Sequence, residues 1–141
     1  MTVLPDAAHG LAEGYRTRRR YVISAAVYEH FMAAFADTNA LHVDDVFARA
    51  NGFPEKVIHG MILGGFISHF VGVHCPGEQT LLLHAVQTQF KSPSHIGDEI
   101  EIEATVTQTV PAVKVVAMDL TVTNVTRGRV AAKARVQVGV R

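Results

Sequence analysis

Hydrophobic and polar positions follow two different periods along the chain, and the change of period divides it. Residues 57–72, running Val57-Ile58-His59-Gly60-Met61 through Gly72, contain no Asp, Glu, Lys or Arg, and nothing charged follows until Glu78. Apolar or small positions occur almost all round this stretch, which predicts a helix buried inside its own domain rather than one with a solvated face. It is too short and too Gly-rich to span a bilayer, which takes ~20 apolar residues. Gly64 and Gly65 each cost roughly 1 kcal/mol in a helix interior, a cost usually accepted where a backbone or ligand comes close.

From residue 80 the period becomes two. Ile100, Ile102 and Ala104 alternate with Glu99, Glu101 and Glu103, while Val116, Met118, Leu120 and Val122 alternate with Ala117, Asp119, Thr121 and Thr123. Val130 to Val138 alternates in the same way with Arg129, Ala131, Lys133, Arg135 and Gln137. These are half-buried strands. The run from Leu81 to Lys91 is more apolar and predicts a better buried strand. Pro93 and Gly97 separate it from Asp98, and Thr126-Arg127-Gly128 suits the last hairpin turn.

Upstream, residues 1–13 read as a loose lead-in. Tyr15 to Ile23 forms a first strand whose arginines suit a solvated face better than phosphate contacts. Ser24 can cap a helix to about Thr38, with Val27, Phe31 and Ala34 on one face and Tyr28, Met32 and Phe35 on another. Asp44 or Asp45 can cap a short helix over 46–50, which Asn51-Gly52 ends. The order predicts an α+β fold, an antiparallel sheet curled round one buried helix, as a single domain over 1–141.

Composition narrows the functional classes. Thirteen basic residues balance thirteen acidic ones, which argues against a nucleic-acid or membrane-surface partner. The one cysteine, Cys75, excludes an internal disulfide framework, and the start has no basic and apolar leader, so a soluble cytoplasmic protein is expected. Of eight histidines, His69 and His74 lie near Cys75, with His84 beyond, but no tight ligand pair is present and no metal is expected.

A sharper constellation is Asp37-Thr38-Asn39-Ala40-Leu41-His42-Val43-Asp44. On a continuous helix, ~100° per residue would set Asp37 and His42 roughly 140° apart. They can share a substrate only if the helix ends near Thr38 and the loop folds back, which Asn39 permits. Taken alone, a turn-capping Asp37 and an ordinary loop histidine would explain both residues.

The wider pattern adds to this. Asp-x-Asn-x-x-His-x-Asp, a short helix, Gly-Phe, then Ile58-His59-Gly60-Met61 opening an apolar helix, resembles the MaoC-like / (R)-specific enoyl-CoA hydratase family. The likeness continues through Phe90-Lys91-Ser92-Pro93 and Gly97-Asp98. The resemblance implies a hot-dog fold, with Asp37 and His42 catalytic and the Gly60 amide as oxyanion hole. It also implies a helix serine at Ser68, with Asn39, His59, Met61 and Gly65 supporting or binding substrate. The family usually has Gly before the aspartate and Pro after the asparagine; here Ala36 and Ala40 occupy those positions. The implied activity is hydration of a 2-enoyl thioester to an (R)-3-hydroxyacyl thioester, or the reverse. The substrate would be carried by coenzyme A or acyl carrier protein, without a cofactor, in a homodimer whose sheets join edge to edge. The rivals are a hot-dog thioesterase, disfavoured because residues 56–77 contain no carboxylate, and a silent acyl-CoA-binding module.

Overall fold

The computed structural model describes residues 11–141, so most of the lead-in expected over 1–13 lies outside the described residues. Among the described residues, five strands form one antiparallel sheet in the order β1-β3-β4-β5-β2. They are β1 (Arg16–Val22), β2 (Thr80–Phe90), β3 (Glu99–Val110), β4 (Val115–Asn124) and β5 (Arg129–Val140). Between β1 and β2 come α1 (Ala25–Phe35), α2 (Ala40–Val43), α3 (Asp45–Ala50) and the central α4 (Gly60–His69), which continues into a π-helical turn over Phe70–His74.

The period-two alternation becomes the inner sheet face. Ile100, Ile102, Ala104 and Val106 of β3 are buried beside Val116, Met118, Leu120 and Val122 of β4 and Ala132, Ala134, Val136 and Val138 of β5. Against them pack Ile62, Leu63 and Ile67 of α4, followed by Phe70 and Val71. At ~25 cal/mol per Å² of buried apolar area, this shared face is the main stabilising term. On β1, Arg16 pairs with Glu103 at 2.6 Å and Arg20 with Glu101 at 3.1 Å, the solvated ladder the sequence suggests.

Three expectations need correction. The strand over 81–91 is not better buried: Leu81 is 65% and Leu82 62% exposed, and Phe90 51%. Among the described residues it pairs only with β5 and stands at the sheet edge, so none of them covers its apolar run. The central helix is not buried all round either, for Met61, Gly65, Ser68 and Gly72 are exposed at helical spacing along one face. Finally, α1 stops at Phe35 rather than Thr38. Its C-cap Ala36 adopts a left-handed conformation (φ 52°, ψ 34°), and its N–H bonds back to the Met32 carbonyl. The expected Ser24 cap is present, accepting from the Val27 N–H at 3.1 Å. Asp44 rather than Asp45 caps α3, accepting from the Val46 and Phe47 N–H groups.

A buried polar knot closes the end of the sheet near the start of α4. Asp98, 2% exposed, accepts hydrogen bonds from the His95 N–H (2.9 Å), Asn124 Nδ2 (2.8 Å) and Arg127 Nε (2.8 Å). Burial alone would raise its pKa, but the Arg127, Asn124 and His95 donors outweigh it and hold the carboxyl below its ordinary value. A depressed folded-state pKa contributes stability that is present above the unfolded value, ~3.9, and is lost as pH falls through the folded one. Asp98→Ala should therefore cost ~2–4 kcal/mol at neutral pH. In denaturant titrations that deficit should shrink below about pH 4; a deficit constant down to pH 2 would contradict the assignment.

Candidate active site

The site begins with the early stop of α1. The left-handed Ala36 turns the chain, and Asp37 Oδ1 accepts from the Asn39 N–H at 3.2 Å. Asn39 then caps α2, its side-chain oxygen accepting from the Leu41 N–H at 3.1 Å. This fold-back removes the angular separation a continuous helix would impose. Side-chain atoms of Asp37, His42 and His59 now lie within 4.8 Å of one another.

Backbone carbonyls fix the two histidines. His42 Nδ1 lies 2.8 Å from the Val57 carbonyl oxygen and His59 Nε2 lies 2.8 Å from that of Asp37. A carbonyl can only accept, so each of those nitrogens carries a proton. In the neutral rings the lone pairs then sit on His42 Nε2 and His59 Nδ1. His59 is 2% exposed and its Nδ1 has no partner among the described residues. The two rings stack with centroids 4.2 Å apart, and Phe31 backs His59 at 4.8 Å. Tyr28 donates its hydroxyl hydrogen to the His42 carbonyl at 2.7 Å, bracing the loop from α1.

Gly60 is the first residue of α4, where N–H groups lack intrahelical acceptors and the helix dipole is positive. It shares a cavity of about 330 Å³ with His42, Leu41, Leu63 and Phe90. A Cβ at Gly60 would stand 3.3 Å from the Phe90 ring, so a larger residue there would require that half-exposed ring to give by a few tenths of an ångström.

Of the remaining expected site residues, Met61, Gly65 and Ser68 lie on the exposed face of α4. Ser68 makes no side-chain hydrogen bond among the described residues, and this chain does not join it to Asp37. The histidines weighed for metal stand apart. His69 meets the Tyr21 hydroxyl, His74 meets Thr17, and the buried Cys75 thiol lies against Met118 Sδ with its pKa pushed up to about 11 by burial. The Asp37, His42 and His59 cluster, in contrast, has the donor set of a divalent-cation site, which the sequence reading did not foresee. Tyr28, Phe31 and Phe90 were not singled out as site residues. Tyr28 and Phe31 were legible only as helix-face positions.

The family model described as MaoC like domain matches residues 6–127. The chain belongs to the MaoC-like family. Within it, the chain is 34% identical to the (R)-specific enoyl-CoA hydratase of Aeromonas caviae, over 72% of this chain and 75% of that protein. Its identity to the (R)-specific enoyl-CoA hydratase of Rhodospirillum rubrum is 33%, over 80% and 78%. Among solved structures, the unliganded R-hydratase PhaJ1 of Pseudomonas aeruginosa superposes with a TM-score of 0.83 at 25% identity, covering 94% of this chain and 84% of that one. The Aeromonas caviae (R)-hydratase gives 0.83 at 27% identity, covering 93% and 98%. The MaoC-like fold seen here is thus the hot-dog fold, a sheet wrapped round α4.

The Gly60–Phe90 contact gives a test of how this MaoC-like site is packed. Gly60→Ala should cost no more than ~1 kcal/mol, since the half-exposed Phe90 ring can yield, with Phe90→Leu in the same chain recovering part of that loss. Thermal melts of the two single variants and the pair would show it; strict additivity would mean that the contact is not made.

Proposed function

We propose that this MaoC-like protein hydrates 2-enoyl thioesters to (R)-3-hydroxyacyl thioesters and catalyses the reverse dehydration. The observation that carries this is the fold-back that gathers Asp37 and His42 beside the amide end of α4. The (R)-specific enoyl-CoA hydratases of Aeromonas caviae and Rhodospirillum rubrum support it by their likeness.

Water held between the Asp37 carboxylate and His42 Nε2 loses one proton to this pair as its oxygen bonds to C3. The C2=C3 π electrons move toward the thioester carbonyl, and C2 then takes a proton from the pair. The sum is one water added, with no redox change. A carboxylate and a neutral imidazole suit such transfers near neutral pH. The Val57 carbonyl keeps the His42 proton on Nδ1, so the free lone pair faces away from the backbone. Negative charge on the thioester oxygen is met by the Gly60 N–H, a contact of a kind worth roughly 3 kcal/mol in the transition state. His59 ties down the Asp37 backbone, and the Asn39 cap fixes the turn between the two reacting groups.

The carrier is coenzyme A or acyl carrier protein; the MaoC-like relatives include enzymes named for each. We further propose a homodimer in which the two β2 edges pair antiparallel. Eleven edge residues with exposed Leu81, Leu82, Leu83 and Val86 would otherwise invite unspecific pairing. No described helix is long and apolar enough to cross a membrane.

Loss of the enoyl-thioester absorbance on addition of purified protein tests the reaction. Asp37→Asn and His42→Ala should each lower turnover by ~10²-fold or more while leaving the melting transition in place. Near-full activity in either variant would remove that residue from the chemistry, and no turnover of any enoyl thioester would favour a binding module. Asp37 and His42 work here by proton transfer, so turnover should also survive a chelator.

The dimer has its own measurement. Val86→Lys should shift the mass seen by light scattering from two chains toward one. An unchanged mass of two would place the interface elsewhere.

A further inference from the structure

Three side chains from three separate segments meet where α1 ends and α4 begins. Asp37 follows the left-handed Ala36, His42 belongs to α2, and His59 immediately precedes α4. One donor atom from each lies within 4.8 Å of the others, and no other such group of three occurs among the described residues. Two imidazoles and a carboxylate are the donor set of a zinc-type cation, which takes nitrogen at ~2.0–2.1 Å and carboxylate oxygen at ~2.0–2.2 Å.

A histidine that ligates a metal through one nitrogen almost always gives its other N–H to a carbonyl or carboxylate. Both histidines here are already held in that way. His42 Nδ1 donates to the Val57 carbonyl and His59 Nε2 to the Asp37 carbonyl, each at 2.8 Å. One lone pair is then left on each ring, on His42 Nε2 and on His59 Nδ1. For His42 the hydration chemistry accounts for it. For His59 it does not: the side chain is 2% exposed and Nδ1 has no partner among the described residues. A buried acceptor left unmet is costly, and a cation would meet it. Asp37 is the ligand free to adjust. It is exposed, its Oδ1 accepts from the Asn39 N–H at 3.2 Å, and its Oδ2 makes no hydrogen bond among the described residues. The donors of a tetrahedral zinc stand ~3.4 Å apart, so the trio closes by about 1 Å, most readily at Asp37, whose exposure also gives the cation a way in.

We propose that the Asp37 carboxylate, His42 Nε2 and His59 Nδ1 bind one zinc ion, and that the bound ion reversibly blocks hydration. The block rests on the hydratase function proposed above; the binding does not. Zinc takes up the carboxylate and the His42 lone pair that otherwise hold the attacking water and carry its proton. The ion is thus a regulator of the site rather than its cofactor, in keeping with turnover that survives a chelator. No bond of the substrate is formed or broken by it, and no electron moves.

The experiment adds zinc sulfate to untagged protein in chelator-stripped buffer and follows both the melting transition and the loss of enoyl-thioester absorbance. In the wild type, zinc should raise the melting temperature and lower turnover over the same concentration range, and EDTA should reverse both. His59→Gln keeps a side-chain N–H for the Asp37 carbonyl but lacks the Nδ1 lone pair. Relative to its own metal-free rate, it should need ~10-fold or more zinc for half inhibition. Asp37→Asn should lose the zinc-induced melting shift. His84→Gln, exposed on β2, should keep the wild-type response. No melting shift in the wild type overturns the inference, and so does a shift without inhibition, a rate that rises with zinc, or a His59→Gln response equal to that of the wild type. Should His59→Gln fail to fold, cobalt(II) replaces zinc as the probe: visible absorption bands in the wild type that vanish in Asp37→Asn support the site, and bands that persist overturn it. If no enoyl thioester is hydrated without metal, the hydratase function falls, while the melting shift and its loss in Asp37→Asn still decide the zinc site.

Discussion

The arrangement hangs on the backbone of residues 56–59, an extended segment clasped from both sides just before α4 begins. From one side, the Leu41 carbonyl accepts from the Val57 N–H, His42 Nδ1 donates to the Val57 carbonyl, and Asp45 Oδ1 accepts from the Lys56 N–H. From the other, the Ser94 carbonyl accepts from the Ile58 N–H and His95 Nδ1 donates to the Lys56 carbonyl. A buried extended strand outside any sheet must satisfy its polar groups in some such way. The consequence is that the folded-back loop, the helix terminus and the Asp98 knot share one rigid reference. Asp98 reaches the site through this route, by fixing the loop that carries Ser94 and His95.

The same bonds decide proton positions. Carbonyl oxygens at Val57 and Asp37 dictate which nitrogen of each imidazole is protonated, so the chemistry of the side chains is set by main-chain geometry. His59 illustrates the division of labour. It is too buried to meet solvent, yet it ties the Asp37 backbone to the residue that precedes Gly60. Its stacking on His42 and Phe31 gives the loop an aromatic backing where the short α2 has little core of its own.

Much of the sheet was legible in the sequence because alternation is a local property. The buried faces of β3 and β4 are those the period-two pattern assigns, and Ser24, Asn51 and Gly52 mark helix ends by their own backbone preferences. The partnership of Asp37 and His42 was legible only as a condition, that α1 end early, because angular separation on a helix can be computed but its termination must be observed. The exposed edge of β2 was misread for a definite reason. A continuous apolar run signals that both faces will be covered, but does not say where in the sheet the strand will stand, and at the edge its apolar side chains are exposed among the described residues. The bracing role of Tyr28 and the place of His95 escaped notice because their partners are main-chain atoms, which leave no trace in residue identity.

Ala36 shows how one methyl group can alter the character of a loop. Its left-handed conformation costs an L-residue with a Cβ about 1 kcal/mol more than glycine. The same methyl narrows the choices open to the unfolded chain, which offsets part of that cost. A glycine hinge at this point would let the turn drift among several shapes. With alanine, the left-handed well is narrow, so fewer neighbouring shapes of this turn are open to the residue. The loop carrying Asp37 thereby takes on the behaviour of a latch rather than a tether.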